Sequence, residues 1–367
     1  MCNMHCDYCF YCDEIEKRRQ ESYGFMSEAT LENIIRKTLP HAEGVISYAF
    51  QGGEPTLRSL DFFRKVIEFE KTYNKNGIRI DNALQTNGTL LTEEWCDFLS
   101  ENHFLVGLSV DGIPETHDKY RHLKGSDHSA FELTLKAAEM MGRAGVDYNI
   151  LTVVNSETAA NIGVIYNFYR EKGWNWQQYI ACLDPLGEKK GLHPWALTPE
   201  LYGNFLIGLF DLWYEDLIKN EQPYIRQFDN WAGILMGYPP EACDHRGICG
   251  IQYVCEADGS VYPCDFYMLD EYRLGNFNTD PIHSIDSQRM KTGFLQESLK
   301  IAEQCRICEY GAVCRGGCFR NREMTPFGEY LNYFCHAYKM FFRACLPRLS
   351  EIAEKFFQQN ELPTERS

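Results

Sequence analysis

The sequence contains no run of 18 or more apolar residues, so no segment reads as a membrane-spanning helix. Its first residues, MCNMHCDYCFYCDE, lack the basic-then-apolar order of an export signal, and a cytoplasmic location is expected. Positive charge is scarce. Thirty-six Lys and Arg stand against 52 Asp and Glu, a net charge of -16. Such a chain repels polyanions, which argues against nucleic acid or anionic membrane as partners. Internal repeats and low-complexity stretches are absent. Cysteine is nearly missing from the middle, where Cys96 and Cys182 stand alone between residues 13 and 242.

The cysteines that are present gather at the two ends. Of 16, four lie within residues 2–12 and ten between 243 and 345. In a reducing compartment such clusters read first as metal ligands rather than disulfides. The remaining composition is ordinary globular material, 44% hydrophobic and 24% charged. The length of 367 residues suits two or three domains.

Between the cysteine clusters the pattern alternates. Residues 27–39 read as a helix capped by Ser27, and VISYAF (45–50) as a buried strand. Helices follow near 59–73, 92–101, 130–144 and 159–172, with strands near 78–84, 104–110, 147–154 and 176–182. Strands alternating with helices predict a parallel sheet with crossover helices, a complete or partial (β/α) barrel. Chemistry in such folds sits at the C-terminal strand ends. A long helix near 198–219 closes this half, and 329–358 reads as helical. From 240 onward short apolar pieces, glycines and cysteines suggest a small domain built on metal.

Cys2, Cys6 and Cys9 form C-x3-C-x2-C. Three thiolates can hold three irons of a [4Fe–4S] cube and leave the fourth open, which suits catalysis. A rival set, Cys6, Cys9 and Cys12, opens a ferredoxin-type run, but Glu16 stands where its fourth cysteine belongs. A zinc site is a third reading. After VISYAF comes Gln51-Gly52-Gly53-Glu54-Pro55, two glycines and a carboxylate at a strand end. Alone this is a turn. Together with the cysteine triad it resembles the S-adenosylmethionine site of the radical SAM superfamily.

That resemblance implies a partial (β/α)6 barrel over residues 1–225. It also implies contacts to S-adenosylmethionine from Tyr8, Gly52, Gly53, Glu54, Ser109, Arg121 and Leu183. Glu54 would receive the ammonium group, and Arg121, in the loop 117–121, would clamp the methionine carboxylate. The bland readings are a surface arginine for Arg121 and core packing for Tyr8 and Leu183. A strand precedes the cysteine motif in this superfamily, whereas here only Met1 does. Either the start lies upstream, or the barrel lacks its first strand. The second option predicts an unpaired strand edge and a frayed Cys2.

The C-terminal cysteines run Cys249-x9-Gly259-x4-Cys264, then Cys305-x2-Cys308-x5-Cys314-x3-Cys318, then Cys335. This resembles the SPASM pattern, which carries auxiliary clusters. The resemblance implies a small cysteine-rich domain over 226–345 and a helical tail over 346–367. One cluster would take Cys243, Cys249, Cys264 and Cys318, and another Cys305, Cys308, Cys314 and Cys335. That makes three [4Fe–4S] clusters in all. Structural zinc is the alternative, because C-x2-C is also a zinc spacing. Cys12, Cys96, Cys182, Cys255 and Cys345 are left over, most of them expected to be buried small hydrophobes.

The strings YPCDFY (262–267), LDEYRLGNF and LNYFCHAYKMFF resemble anaerobic sulfatase-maturating enzymes. In that family a radical generated from S-adenosylmethionine abstracts a Cβ hydrogen from a cysteine or serine of an unfolded sulfatase. The product is Cα-formylglycine, and an auxiliary cluster can take the second electron. Asp265 matches the family's proton acceptor, against the bland reading of a loop aspartate or helix cap. The implied partners are the sulfatase polypeptide and a low-potential flavodoxin- or ferredoxin-type donor, with the enzyme a monomer. Another SPASM peptide maturase, forming thioether crosslinks, and a zinc-built interaction module are the alternatives. The sequence does not choose between cysteine and serine targets.

Overall fold

The computed structural model describes residues 1–361, with side chains through Lys355. The last residues of the expected tail, 362–367, lie outside the described residues. In chain order, the strands of the N-terminal half are β1 (Met4–Cys6), β2 (Val45–Phe50), β3 (Arg79–Thr86), β4 (Leu105–Ser109), β5 (Arg121–Leu123), β6 (Tyr148–Val154), β7 (Trp176–Ala181) and β8 (Tyr224–Ile225). Six of them form one sheet in the order β2-β3-β4-β6-β7-β8. The register runs Val45 to Arg79, Ala83 to Leu105 and Val106 to Tyr148, all parallel. Helices Leu60–Tyr73, Glu93–Glu101, Ala130–Ala144 and Ile162–Glu171 alternate with these strands. This is the expected partial (β/α) barrel.

Local chemistry sets the helix ends. Ser27, Thr92 and Ser129 each accept a backbone N–H of the first helical turn. Gly145 ends Ala130–Ala144 in the left-handed region, at φ 70°. Behind the sheet Phe63, 1% exposed, packs its ring on Phe50, Trp95 and Phe104. Burying one such side chain stabilises the fold by about 1.5–3 kcal/mol.

The chain divides into two compact units, neither of them continuous. The first comprises Met1–Thr152, Asp184–Lys189 and Ile251–Phe294. Its N-terminus is not frayed. β1 pairs antiparallel with β5, Met4 opposite Leu123 and Cys6 opposite Arg121. Glu54 N–H donates to Met1 O at 2.9 Å, and Asn3 Nδ2 to Thr89 Oγ1 at 2.8 Å. A three-stranded sheet of Val254–Cys255, Ser260–Tyr262 and Gly275–Asn276 completes the unit. Val261, Leu274, Phe277 and Ile285 form its core with Ile34 of helix Glu28–Thr38.

The second unit comprises Val153–Leu183, Lys190–Gly250 and the chain from Leu295 onward. Helix Pro199–Lys219 packs along helix Cys335–Glu361. Gly203 permits the approach, since a Cβ there would meet Met340 Sδ at 2.8 Å and Ala337 Cα at 3.2 Å. Phe210, Phe228, Trp231, Phe341 and Phe342 fill the space beside it.

Several expectations need correcting. β2 is an edge strand with no residue fully buried; Ile46, Tyr48 and Phe50 are half-buried and alternate with the exposed Val45, Ser47 and Ala49, so only one face is covered. The segment 117–121 is not a loop. Helix Pro114–Tyr120 runs directly into β5, started by Pro114 and by Thr116, whose hydroxyl accepts Ile113 N–H at 3.1 Å. The helix expected at 159–172 is two, Ser156–Ala160 and Ile162–Glu171, because Asn155 caps the first separately. The terminal helix starts at Cys335 rather than 329, since Tyr330–Asn332 pairs with strand Arg322–Met324.

Candidate active site

Cys2 and Cys6 flank or end β1, and Cys9 sits at the N-cap of helix Phe10–Glu16. The turn is held by Cys9 N–H to Cys6 O at 3.1 Å and Cys12 N–H to Cys9 O at 3.0 Å. The three thiols are close enough to act on one another's charge. Burial pushes Cys2 up, and Cys6 up to about 12. Cys9 moves the other way, to about 6, because the Cys12 side chain hydrogen-bonds it. The Arg121 cation favours the thiolates of both Cys6 and Cys9. Thiolates are the metal-binding form, so a half-buried triad beside a fixed cation fits an iron–sulfur cube. Cys12, by contrast, is exposed, and its bond to Cys9 raises it.

The segment after β2 turns on Gly52 and Gly53, at φ 94° and 60°. The backbone that comes close to Gly53 is the chain's own: a Cβ there would sit 2.0 Å from Met1 O. Glu54 is buried. Its carboxylate accepts Thr56 N–H at 3.0 Å, Thr56 Oγ1 at 2.7 Å, Thr86 Oγ1 at 2.8 Å and Asn87 N–H at 2.8 Å. A carboxylate has about four lone-pair sites, so protein donors use all of them. Glu54 therefore knits the ends of β2 and β3 together.

At the end of β4 stands half-buried Ser109, and buried Asp111 follows it. The Tyr8 hydroxyl donates to the Asp111 carboxylate. Arg121 grips the same carboxylate with two bonds, Nε at 2.9 Å and Nη2 at 3.1 Å, and lies 5.5 Å from the Tyr8 ring centre. All three side chains are buried, and Asp111 N–H donates to His117 Nδ1 at 3.2 Å. Arg121 is thus no surface arginine. Its fork is held by Asp111 and its charge is aimed at the cysteine triad. Leu183 belongs to the second unit and follows Cys182, whose N–H donates to Val154 O at 3.0 Å.

Asp265 opens the short turn Asp265–Tyr267, and Cys264 rather than Asp265 occupies its N-cap. Gln51 Nε2 donates to Asp265 Oδ2 at 3.1 Å, and Cys264 Sγ to Oδ1 at 3.4 Å. Burial lifts the Asp265 carboxyl above the ordinary range. The helix after the cysteine triad packs onto this turn, with Phe10 and Phe266 ring centres 4.8 Å apart. Tyr11 stands between the two. Its hydroxyl is raised by burial and by the charges of Asp265, Glu14 and Cys9, and it lies 3.7 Å from where a Gly52 Cβ would be. One unit thus brings Cys9, Tyr11, Gln51, Gly52 and Asp265 together. Gln51 and Tyr11 were readable only as neighbours of the motifs.

In the second unit, Cys305, Cys308, Cys314 and Cys335 act on one another's charge. Cys318 does so with Cys243 and Cys249. Cys264, the fourth of that set, lies in the first unit. Among the described residues, no three of His, Cys, Asp or Glu close on a single ion. Ligands of a cube stand farther apart, one to each iron. Cys96, Cys182 and Cys345 are buried, as expected of small hydrophobes, while Cys12 is exposed and Cys255 half-buried.

Comparison with known proteins draws these parts together. The radical SAM superfamily pattern matches residues 1–169, and the SPASM iron–sulfur cluster-binding domain residues 249–309. The cysteine-type anaerobic sulfatase-maturating enzyme of Clostridium perfringens is 42% identical, over 96% of this chain and 95% of its own. This chain belongs to the anaerobic sulfatase-maturating enzymes. The serine-type anaerobic sulfatase-maturating enzyme of Bacteroides thetaiotaomicron is 32% identical, over 98% of this chain and 90% of its own. Among solved structures, native anSMEcpe with bound AdoMet and Kp18Cys peptide matches with a TM-score of 0.90. That match has 42% identity and covers 97% of this chain and 96% of that one. As a sulfatase-maturating enzyme, the chain is a radical SAM oxidoreductase whose cofactors are S-adenosylmethionine and [4Fe–4S] clusters, three by the family's count. The zinc-built module is set aside. Among the described residues, no helix is long and apolar enough to cross a membrane.

Proposed function

We propose that this enzyme oxidises a cysteine of a sulfatase polypeptide to Cα-formylglycine, with Asp265 as the proton acceptor. The observation that carries the reading is the Gln51–Asp265 bond at 3.1 Å, beside the Gly52–Gly53 turn and the Cys9 helix. In this reading Cys2, Cys6 and Cys9 hold the S-adenosylmethionine-binding cluster. Cys243, Cys249, Cys264 and Cys318 hold one auxiliary cluster, and Cys305, Cys308, Cys314 and Cys335 the other. Tyr8, Gly52, Gly53, Glu54, Ser109, Arg121 and Leu183 line the S-adenosylmethionine site.

When bound, S-adenosylmethionine and its reduced cluster supply hydrogen-atom abstraction at the target Cβ. The chain's own residues do the rest. Asp265 takes the thiol proton onto a carboxylate oxygen, and Gln51 holds that carboxylate in place through Oδ2. Tyr11 and Phe10 close the space between Asp265 and the cysteine triad and keep water from the reacting carbon. The Asp111–Arg121 pair fixes a positive charge near the thiolates of Cys6 and Cys9.

A cysteine target is supported by two observations. Identity is 42% to the cysteine-type relative and 32% to the serine-type one. A thiol, with pKa about 8.5, also yields its proton to a carboxylate far more readily than a serine hydroxyl does. The reading further includes a cytoplasmic setting, since cluster ligation needs reduced thiols, and a low-potential flavodoxin- or ferredoxin-type donor. The test is to give reconstituted enzyme two sulfatase-derived peptides that differ only in Cys or Ser at the target. The cysteine peptide should react with kcat/KM higher on the order of tenfold or more. Equal or faster reaction of the serine peptide would overturn the cysteine preference.

A further inference from the structure

Two cysteines of each auxiliary set act on one buried cation, Arg322. Arg322 begins the strand Arg322–Met324 and is 8% exposed. Its guanidinium donates to four carbonyls: Nε to Gly316 O at 3.1 Å, Nη1 to Ser298 O at 2.5 Å, and Nη2 to Gly247 O at 3.1 Å and Gly317 O at 2.8 Å. Three of these carbonyls belong to cysteine-bearing segments. Gly316 and Gly317 lie between Cys314 and Cys318. Gly247 lies two residues before Cys249, and the Ser298 hydroxyl accepts the Cys249 N–H at 3.1 Å. The fork thus ties together the two segments that carry Cys249, Cys314 and Cys318, and the Ser298 turn that holds the Cys249 N–H.

The ionisable groups that act on Arg322 are the thiols of Cys318 and Cys249 of one set and of Cys305 and Cys314 of the other, which become anions when they bind metal. Carbonyls can solvate a guanidinium but cannot neutralise it, and burial draws its pKa down. A buried cation without an anion is costly. The position makes sense when the neighbouring thiols are thiolates bound to iron, which supply the missing negative charge.

We propose that Arg322 is a positioning residue shared by both auxiliary clusters, whose fixed charge makes both easier to reduce. This rests on the two auxiliary ligand sets given above. Each one-electron reduction adds a negative charge to a cluster, and a nearby cation in a poorly screened interior favours that form. The chemistry needs such an acceptor. Converting a thiol to a thioaldehyde removes a hydrogen atom, a proton and one electron. The hydrogen atom leaves with the deoxyadenosyl group and the proton with Asp265. The electron must enter a centre that can be reduced, for which an auxiliary cluster stabilised by Arg322 is suited.

The experiment is EPR-monitored redox titration of the fully reconstituted enzyme, with iron and sulfide counted in every sample. The parent should hold about 12 irons, as three cubes require. A count near four in the parent would overturn the auxiliary ligand sets, and this proposal with them, before any variant is read. At full iron, Arg322→Gln should shift the reduction equilibrium of both auxiliary clusters toward the oxidised form by about tenfold or more, a fall of about 59 mV each. Arg322→Lys should stay within about threefold of the parent, because the charge remains. Unchanged potentials in Arg322→Gln, or a shift in one cluster alone, would overturn the shared role. If Arg322→Gln fails to load, Arg322→Lys decides. Full loading at parental potentials supports the proposal, whereas loss of iron or shifted potentials in the lysine variant leaves Arg322 a structural clamp only and overturns it.

Discussion

Asp265→Asn should lower the formylglycine yield by about 100-fold or more, the scale of losing a general base. Iron content and S-adenosylmethionine binding should survive, because no ligand changes and the amide keeps the size and a hydrogen-bonding oxygen. Deoxyadenosine should still form, since hydrogen abstraction does not need the base. The wild-type enzyme should also show an acid limb in its turnover. Burial lifts the Asp265 carboxyl, so the base form is lost as pH falls through a value above the ordinary carboxylate range. That limb should be missing from the residual activity of Asp265→Asn. The competing view makes Asp265 a helix cap, although Cys264 rather than Asp265 holds the N-cap position of its short turn. A cap would cost about 1 kcal/mol of stability and leave turnover intact. Comparable formylglycine yield from both proteins at equal iron would remove Asp265 from the chemistry.

Replacing Cys2, Cys6 or Cys9 with alanine should abolish 5′-deoxyadenosine production outright, while Cys12→Ala should retain it. The distinction rests on position. Cys2, Cys6 and Cys9 face one another beside Arg121, whereas Cys12 is exposed one helical turn on. Chromatographic quantitation of deoxyadenosine after reductive reconstitution reads all four variants. An essential Cys12 with a dispensable Cys2 would shift the ligand set to Cys6, Cys9 and Cys12.

The main sheet was legible because its strands are short apolar runs between well-capped helices. Ser27 and Thr92 cap the helices the sequence assigned to them, and β2 and β6 fall within a residue of their expected ends. The pairing of β1 with β5 was not legible. Three residues between cysteines cannot display an alternation, and the partner lies more than 110 residues away. The partners of Asp111 were illegible for a similar reason. Nothing local distinguishes a Val-Asp-Gly turn from a carboxylate that takes both Tyr8, 103 residues earlier, and Arg121. The motifs named Gly52, Gly53 and Glu54, yet only coordinates show that the Glu54 side chain is used up by Thr56, Thr86 and Asn87. The Gln51–Asp265 bond spans 214 residues, and each partner reads alone as an ordinary loop residue. Periodicity and spacing reported the elements and the ligand candidates. The contacts that aim them are long-range, and a single sequence carries no signal for those.

The most direct measurement uses a sulfatase-derived peptide whose target cysteine carries deuterium at Cβ. It is incubated anaerobically with reconstituted enzyme, a low-potential reductant and S-adenosylmethionine, and both products are read by mass spectrometry. The account predicts a peptide that has exchanged its thiol for an aldehyde, and deuterium recovered in 5′-deoxyadenosine in step with that aldehyde. Deuterium-free deoxyadenosine beside an unchanged peptide, from enzyme carrying its full iron, would contradict it.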